Sequence, residues 1–229
     1  MMKAALVTGG SRGLGLAIVR ALVAKGWSVV TDARNTADLQ SALGGLGGVT
    51  TITGDVTDPG HRQALVQAVE VLGRLDLLVN SASHLGPSPQ PRIDDYPLDV
   101  LRRVYEVNVI APVALLQALL PKLRRTGGTV LNITSDAGIE GYPGWGGYGS
   151  SKAALEQASR VLAAEEPDVR VFWVDPGDMN TRMHQEAYPG EDISDRPPPE
   201  ASVPGLLKLI EGTFASGRYR AWEVVDGDR

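Results

Sequence analysis

Tyr148 and Lys152 stand four residues apart in Gly147-Tyr148-Gly149-Ser150-Ser151-Lys152-Ala153-Ala154-Leu155. On a helix, positions i and i+4 share a face one turn apart. A phenol and an ammonium held side by side can form a proton-transfer unit. Free tyrosine titrates at about 10 and is a poor acid–base catalyst at neutral pH. A neighbouring cation stabilises the phenolate and brings that value down. Taken alone the pair also suits a solvated helix face, and it gains meaning from the rest of the chain.

Near the N-terminus runs Lys3-Ala-Ala-Leu-Val-Thr8-Gly9-Gly10-Ser11-Arg12-Gly13-Leu14-Gly15-Leu-Ala-Ile-Val. An apolar run ends in glycines, and a helical pattern follows. Glycine permits a tight turn and close approach of backbone to a ligand. The helix that follows points unpaired N–H groups and its positive dipole end at an anion. A strand, a glycine turn and a helix in that order are what a dinucleotide pyrophosphate needs. The spacing is Gly9-x-x-x-Gly13-x-Gly15, not Gly-x-Gly-x-x-Gly.

Together these motifs resemble the short-chain dehydrogenase/reductase family over nearly the whole chain. The family's Thr-Gly-x-x-x-Gly-x-Gly falls on Thr8, Gly9, Gly13 and Gly15, with Ser11, Arg12 and Leu14 inside the turn. The resemblance implies an active-site set of Asn108, Ser135, Tyr148 and Lys152. It also implies adenine contacts from Asp55-Val56, cofactor contacts from Asn80 and Ala82, and a nicotinamide-side motif at Pro176-Gly177-x-x-x-Thr181. One departure stands out: the family's Asn-Asn-Ala-Gly reads Asn80-Ser81-Ala82-Ser83, and Ser83 lacks the freedom of glycine.

Charge bears on the choice of cofactor. NADP carries an extra phosphate on the adenosine ribose and needs cations where NAD needs an acid. The second strand ends Val29-Val30-Thr31-Asp32-Ala33-Arg34, and the family's NAD-selecting acid falls on Ala33. Arg34 follows it, and Arg12 sits in the glycine turn. Two guanidiniums converging on one ribose suit a phosphate, so NADP(H) is expected over NAD(H). Shifting the register by one residue would make Asp32 the NAD-type acid instead.

Asn108 lies in Tyr105-Glu-Val-Asn108-Val-Ile-Ala-Pro112, within a long helical pattern. Pro112 has no N–H to give the Asn108 carbonyl four residues back, so a kink and a free acceptor are expected there. In the family, that carbonyl holds a water reaching the active-site lysine. Ser135 ends a strand, and the resemblance gives its hydroxyl the task of orienting a substrate carbonyl. His61 follows Asp58-Pro59-Gly60 and is expected at the surface. His84 and His184 have no metal-ligand spacing, and no metal is expected. Tyr142 and Trp145 could line the pocket or simply pack.

The elements that must position these residues alternate. Strand-like runs cover Ala4–Val7, Val29–Thr31, Val49–Thr53, Leu75–Val79, Val130–Thr134, Val169–Val174 and, less clearly, Tyr219–Val225. Helical patterns cover Gly13–Ala24, Thr36–Leu43, Arg62–Leu72, Pro97–Leu123, Tyr148–Glu165 and Val203–Ile210. The alternation implies an α/β, doubly wound Rossmann-type fold, a mostly parallel sheet of about seven strands with helices on both faces. A single domain over 1–229 is expected, with a substrate loop near 178–201 that carries Pro197-Pro198-Pro199.

The chain's 229 residues suffice for one sizeable core. A net charge of −5 gives no reason to expect nucleic acid or an anionic membrane surface. The absence of cysteine excludes disulfides, thiolate metal sites and a cysteine nucleophile, and is compatible with a cytoplasmic location. No run in the sequence suggests a membrane span, and the opening residues do not form a signal peptide. The expectation is an NADPH-dependent oxidoreductase interconverting a small-molecule carbonyl and alcohol, with Tyr148 as general acid/base. The family resemblance adds a homodimer or homotetramer. The alternative is a non-catalytic dinucleotide-binding sensor or scaffold on the same fold.

Overall fold

A computed structural model describes residues 2–226. Among them, seven parallel strands form one sheet: β1 (Ala4–Val7), β2 (Ser28–Ala33), β3 (Val49–Thr53), β4 (Leu77–Asn80), β5 (Thr129–Ile133), β6 (Arg170–Asp175) and β7 (Gly217–Arg220). Their order is β3-β2-β1-β4-β5-β6-β7. The central strands β1, β4 and β5 are buried along their whole length. That agrees with their nearly unbroken apolar composition, since a parallel sheet is covered on both faces.

Helices cover the two faces. α1 (Gly13–Ala24), α8 (Val203–Glu211) and α9 (Ala221–Asp226) lie on one side, where Ile18, Leu22, Leu206 and Leu209 pack on Val7, Leu77 and Phe172. On the other side Leu65 of α3 (Pro59–Val71) and Leu115 and Leu119 of α5 (Ala111–Thr126) pack on Leu6, Leu78 and Val130. α2 (Thr36–Leu43), α4 (Leu98–Tyr105), α6 (Gly146–Glu165) and α7 (Arg182–Ala187) complete the helices used below.

Strand order reverses between β1 and β4, so the loops leaving their carboxyl ends diverge and open a crevice there. All the residues singled out by motif lie on the loops or helix starts at this end of the sheet, or just behind them.

Three segments depart from expectation. Of Tyr219–Val225 only Tyr219 and Arg220 are strand, as the end of β7. Pairing stops at Arg220 opposite Asp175, and the chain turns into α9, which buries Ala221 and Val224 against α8. A second helix, α7, forms inside the proposed substrate loop, capped by the Thr181 hydroxyl accepting from the His184 N–H at 3.2 Å.

The third is the long helical pattern, which runs unbroken as Leu98–Thr126 and is long and apolar enough, by length and composition, to cross a membrane. The sequence alone does not mark this run as a membrane span. Here it is a packed layer of the domain, burying Val104, Leu115, Leu119 and Leu123.

Candidate active site and cofactor cleft

The turn after β1 is shaped by glycine where it has to be. Gly9 has φ 75° and Gly13 φ 53°, both in the left-handed region. A Cβ on Gly15 would overlap the Gly9 carbonyl, and one on Gly9 would come within 3.0 Å of the Ala82 backbone. These contacts oblige glycine at both positions and let the turn close against the loop after β4, with the start of α1 on the crevice. Ser11, Arg12, Gly13, Leu14 and Gly15 all line it. A glycine turn leading into a helix N-terminus fits the pyrophosphate of a dinucleotide.

Thr8 works behind this turn. Its Oγ1 accepts from the Ser81 and Ala82 N–H groups, each at 3.0 Å, and so ties the loop after β4 to the end of β1. Asn80 is also buried and does not line the cleft. Its Nδ2 donates to Asn132 Oδ1 at 2.7 Å, and Asn132 Nδ2 donates to Ser159 Oγ at 2.8 Å, a polar chain joining β4, β5 and α6. Ala82 lies at the wall beside Gly9.

Asp32 belongs to the interior. Its side chain is 2% exposed; Oδ1 accepts from the Gly9 N–H at 2.8 Å, and Oδ2 meets His61 Nε2 at 2.8 Å. One oxygen holds the glycine turn and the other is taken by His61, while the residue also borders the cleft. His61 is correspondingly buried, not at the surface, because the ring crosses under Gly54 to reach Asp32. Ala33 and Arg34 follow on the cleft wall, opposite Arg12.

Asp55 and Val56 line the cleft. Burial pushes the Asp55 carboxyl up. Hydrogen bonds from the Thr57 backbone and hydroxyl, with Arg103, outweigh it and hold Asp55 below the usual carboxylate range. Arg103, not expected from the sequence, contacts both Asp55 and Thr57. Burial, then Arg103 and Arg34, depress His84, so His84 faces the same positive arm of the cleft.

Tyr148 and Lys152 do share one face of α6, and both are buried. The Lys152 ammonium lies 5.3 Å from the centre of the Tyr148 ring and donates to the Ile133 carbonyl at 2.8 Å. Burial lowers Lys152 to about 8. Burial also pushes Tyr148 up from its ordinary value; a hydrogen bond with Ser83 opposes this, while Asp175 and Asp136 add to it. The expected downward pull of Lys152 is not the governing influence on Tyr148. Burial wins, and the phenol holds its proton at neutral pH.

Ser135 ends its loop beside Tyr148 on the cleft wall. Its Oγ donates to Asp136 Oδ1 at 2.9 Å and accepts from the Ala137 N–H at 3.2 Å. Pro176, Gly177 and Thr181 close the opposite wall; Gly177 has φ 80°, and Thr181 packs beside Gly13.

Asn108 sits behind the wall and is 1% exposed. Its Oδ1 accepts from the His84 N–H at 2.8 Å and from Ser83 Oγ at 3.3 Å; its Nδ2 donates to the His84 carbonyl at 3.0 Å and to Ser151 Oγ at 2.9 Å. The missing N–H of Pro112 is absorbed by a π-helical turn over Glu106–Ile110, in which the Ala111 N–H reaches the Glu106 carbonyl. A widened turn at this point relieves the clash that a proline ring makes with an α-helix.

Among the described residues, no group of His, Asp and Glu could hold a metal ion. The continuous cleft measures about 1090 Å³. A parallel sheet with a glycine cradle at its switch point, joined to a buried tyrosine–lysine pair, defines a nicotinamide-dinucleotide oxidoreductase.

The family described as short chain dehydrogenase matches residues 3–192, and the chain belongs to it. Short chain dehydrogenase asqE of Emericella nidulans is 40% identical over 174 residues, covering 71% of this chain and 64% of that protein. This chain thus spans less than two thirds of asqE. L-fucose dehydrogenase of Rattus norvegicus is 35% identical over 187 residues, covering 80% and 68%. A solved short chain dehydrogenase from Shigella flexneri 2a str. 301, complexed with NADP, superposes with a TM-score of 0.88 at 29% identity, covering 96% of this chain and 97% of that one.

Proposed function

We propose that this protein is an NADPH-dependent carbonyl reductase, or the reverse alcohol dehydrogenase, built as a single catalytic domain. The observation that carries the reading is the meeting of Tyr148, Ser135 and Lys152 on one cleft with the glycine cradle. Gly9, Ser11, Gly13, Leu14 and Gly15 would hold the pyrophosphate, and Asp55 and Val56 the adenine. Arg12 and Arg34 would hold the ribose phosphate, a choice supported by the engagement of both Asp32 oxygens elsewhere. Pro176, Gly177 and Thr181 would face the nicotinamide. When bound, the dinucleotide supplies or accepts a hydride at the substrate carbon.

Tyr148, protonated at neutral pH, gives its proton to the carbonyl oxygen. The Ser135 hydroxyl turns from Asp136 to that oxygen and stabilises charge developing there. The Lys152 ammonium would hold the nicotinamide ribose and offset the burial of a forming phenolate. Asn108 anchors the loop that carries Ser83 and His84, and its backbone would lie on a water path for returning the proton to Tyr148. The assembly we propose is a homodimer or homotetramer, acting in the cytoplasm on a small-molecule carbonyl or alcohol.

The test is a panel of ketones and aldehydes followed at the nicotinamide absorbance. NADPH should bind at least ~10-fold more tightly than NADH, about 1.4 kcal/mol, and replacing Arg12 and Arg34 together should erase the preference. Tyr148→Phe should lower turnover at least ~10²-fold and leave NADPH binding intact. Full activity in that variant would refute the mechanism.

A further inference from the structure

Beyond Tyr148 the cleft widens into a lobe whose walls are mostly rings. Trp145 meets Tyr148 edge-on at 5.7 Å between ring centres and 72° between planes, and meets Tyr188 at 6.1 Å and 49°. Leu85, Met183 and Ala187 fill the gaps between them. Trp145 and Tyr188 are only half-buried, so part of each ring is left for a ligand. Aromatic faces and edges reward a flat π-system in offset or edge-on contact beyond the area it buries.

Carboxylates line this lobe, and the arginine beside them is paired. Asp136 is held in place by its neighbours: Oδ1 accepts from Ser135 Oγ at 2.9 Å and from the Ala137 N–H at 2.8 Å, and Oδ2 accepts from the Tyr142 hydroxyl at 3.0 Å. A carboxylate is thereby fixed within hydrogen-bond distance of the serine assigned to the substrate oxygen. Asp178 and Glu186 line the same side. Arg182 also does, but it is tied to Glu186 at 2.8 Å. Arg12, Arg34 and Arg103 lie on the cofactor arm. Asp178 lies 3.7 Å from Arg196, and Lys152 is buried with its ammonium on the Ile133 carbonyl, so a substrate bearing a carboxylate or phosphate would meet Asp136, which has no ion-pair partner among the described residues.

We propose, resting on the reductase reading above, that this lobe takes a flat, uncharged aryl ketone, and that Asp136 discriminates against anionic ones. The ring of the substrate lies among Trp145, Tyr148 and Tyr188. Its carbonyl oxygen points to Ser135 and Tyr148, and receives the tyrosine proton as the carbonyl carbon receives hydride from NADPH. The products are the aryl carbinol and NADP⁺.

The experiment compares acetophenone, 4-acetylbenzoate and cyclohexyl methyl ketone in steady state at saturating NADPH. Their binding to the NADP⁺-loaded protein is measured in parallel by calorimetry. Acetophenone should exceed each of the others at least ~10-fold in kcat/KM, about 1.4 kcal/mol. Asp136→Asn should narrow the acetophenone to 4-acetylbenzoate ratio at least ~3-fold; the ratio is the readout because Asp136 also touches Ser135. Trp145→Leu, or Tyr188→Leu if the first does not fold, should lower kcat/KM for acetophenone and spare cyclohexyl methyl ketone.

Equal or better use of 4-acetylbenzoate, or of cyclohexyl methyl ketone, overturns the lobe assignment while leaving the reductase reading in place. Selective binding of acetophenone with no NADPH consumed supports the lobe and overturns the reductase reading. Neither binding nor turnover of any of the three overturns the lobe assignment.

Discussion

Lys152→Met should give a protein that is more stable and nearly inactive. The wild-type ammonium is buried at 2% exposure, and burial lowers it from the ordinary 10.5 to about 8. Each unit of such a shift is worth about 1.4 kcal/mol, so keeping the charge inside the folded protein at pH 7 costs about 3 kcal/mol. Methionine has a similar length and no charge. The variant loses the 2.8 Å hydrogen bond to the Ile133 carbonyl, a loss of about 1 kcal/mol. The net expectation is a gain of about 2 kcal/mol, or roughly 4–8 °C in Tm for a chain of this size.

The pH dependence identifies the cause. Between about 8 and 10.5, the unfolded lysine keeps its proton while the folded one has released it. The unfolded state then binds more protons, so wild-type stability rises with pH across this window. The variant lacks that contribution, and its advantage should be full below about pH 8 and vanish as pH approaches 10.5. Tyr148 titrates in both proteins and cancels to first order. Urea unfolding at pH 7, 9 and 10 reads the difference. A variant less stable than wild type at pH 7, or an advantage that does not change with pH, would refute the argument.

His61→Ala removes one partner of a buried pair and leaves Asp32 with only the Gly9 N–H. It should destabilise the fold by about 3 kcal/mol, seen in urea unfolding, and weaken NADPH binding through the loosened glycine turn; unchanged stability would mean the pair is not coupled. Ser83→Gly removes the hydrogen bond that holds Tyr148 down and should raise the phenol further. The pH profile of alcohol oxidation, which needs the phenolate, should therefore move to higher pH, and an unshifted profile would show that Ser83 does not act on Tyr148.

Much of the fold was legible because the signals were local. The glycine turn announces itself through residue type, since no other side chain fits at Gly9 or Gly15. The buried strands read as apolar runs because both sheet faces are covered. The Tyr148–Lys152 face follows from helical spacing alone. The last strand was misread because Ala221–Val225 has the composition of a strand, and tertiary packing on α8 made it a helix. Pro112 pointed to an interrupted ladder; whether a kink or a π turn absorbs the missing N–H depends on what packs around it, and α6 packs on that turn.

What the sequence hid were pairings between distant charges. Asp32 and His61 are 29 residues apart; in the sequence His61 looks like a surface residue and Asp32 like a candidate ribose-binding acid. Alternation along β2 decides Asp32's direction: Thr31 donates its hydroxyl to the Val7 carbonyl in the core, and Asp32, on the opposite face, meets α3. A carboxylate placed there is buried unless something receives it, and His61 does, helped by Gly54, whose missing side chain leaves room for the ring. The same alternation leaves Ala33, the last residue of β2, and Arg34 after it on the cleft wall beyond Asp32. Selection of the cofactor by Arg34 in place of an acid, as proposed above, would then rest on the pleat of one strand, and a one-residue slip of β2 would reverse it.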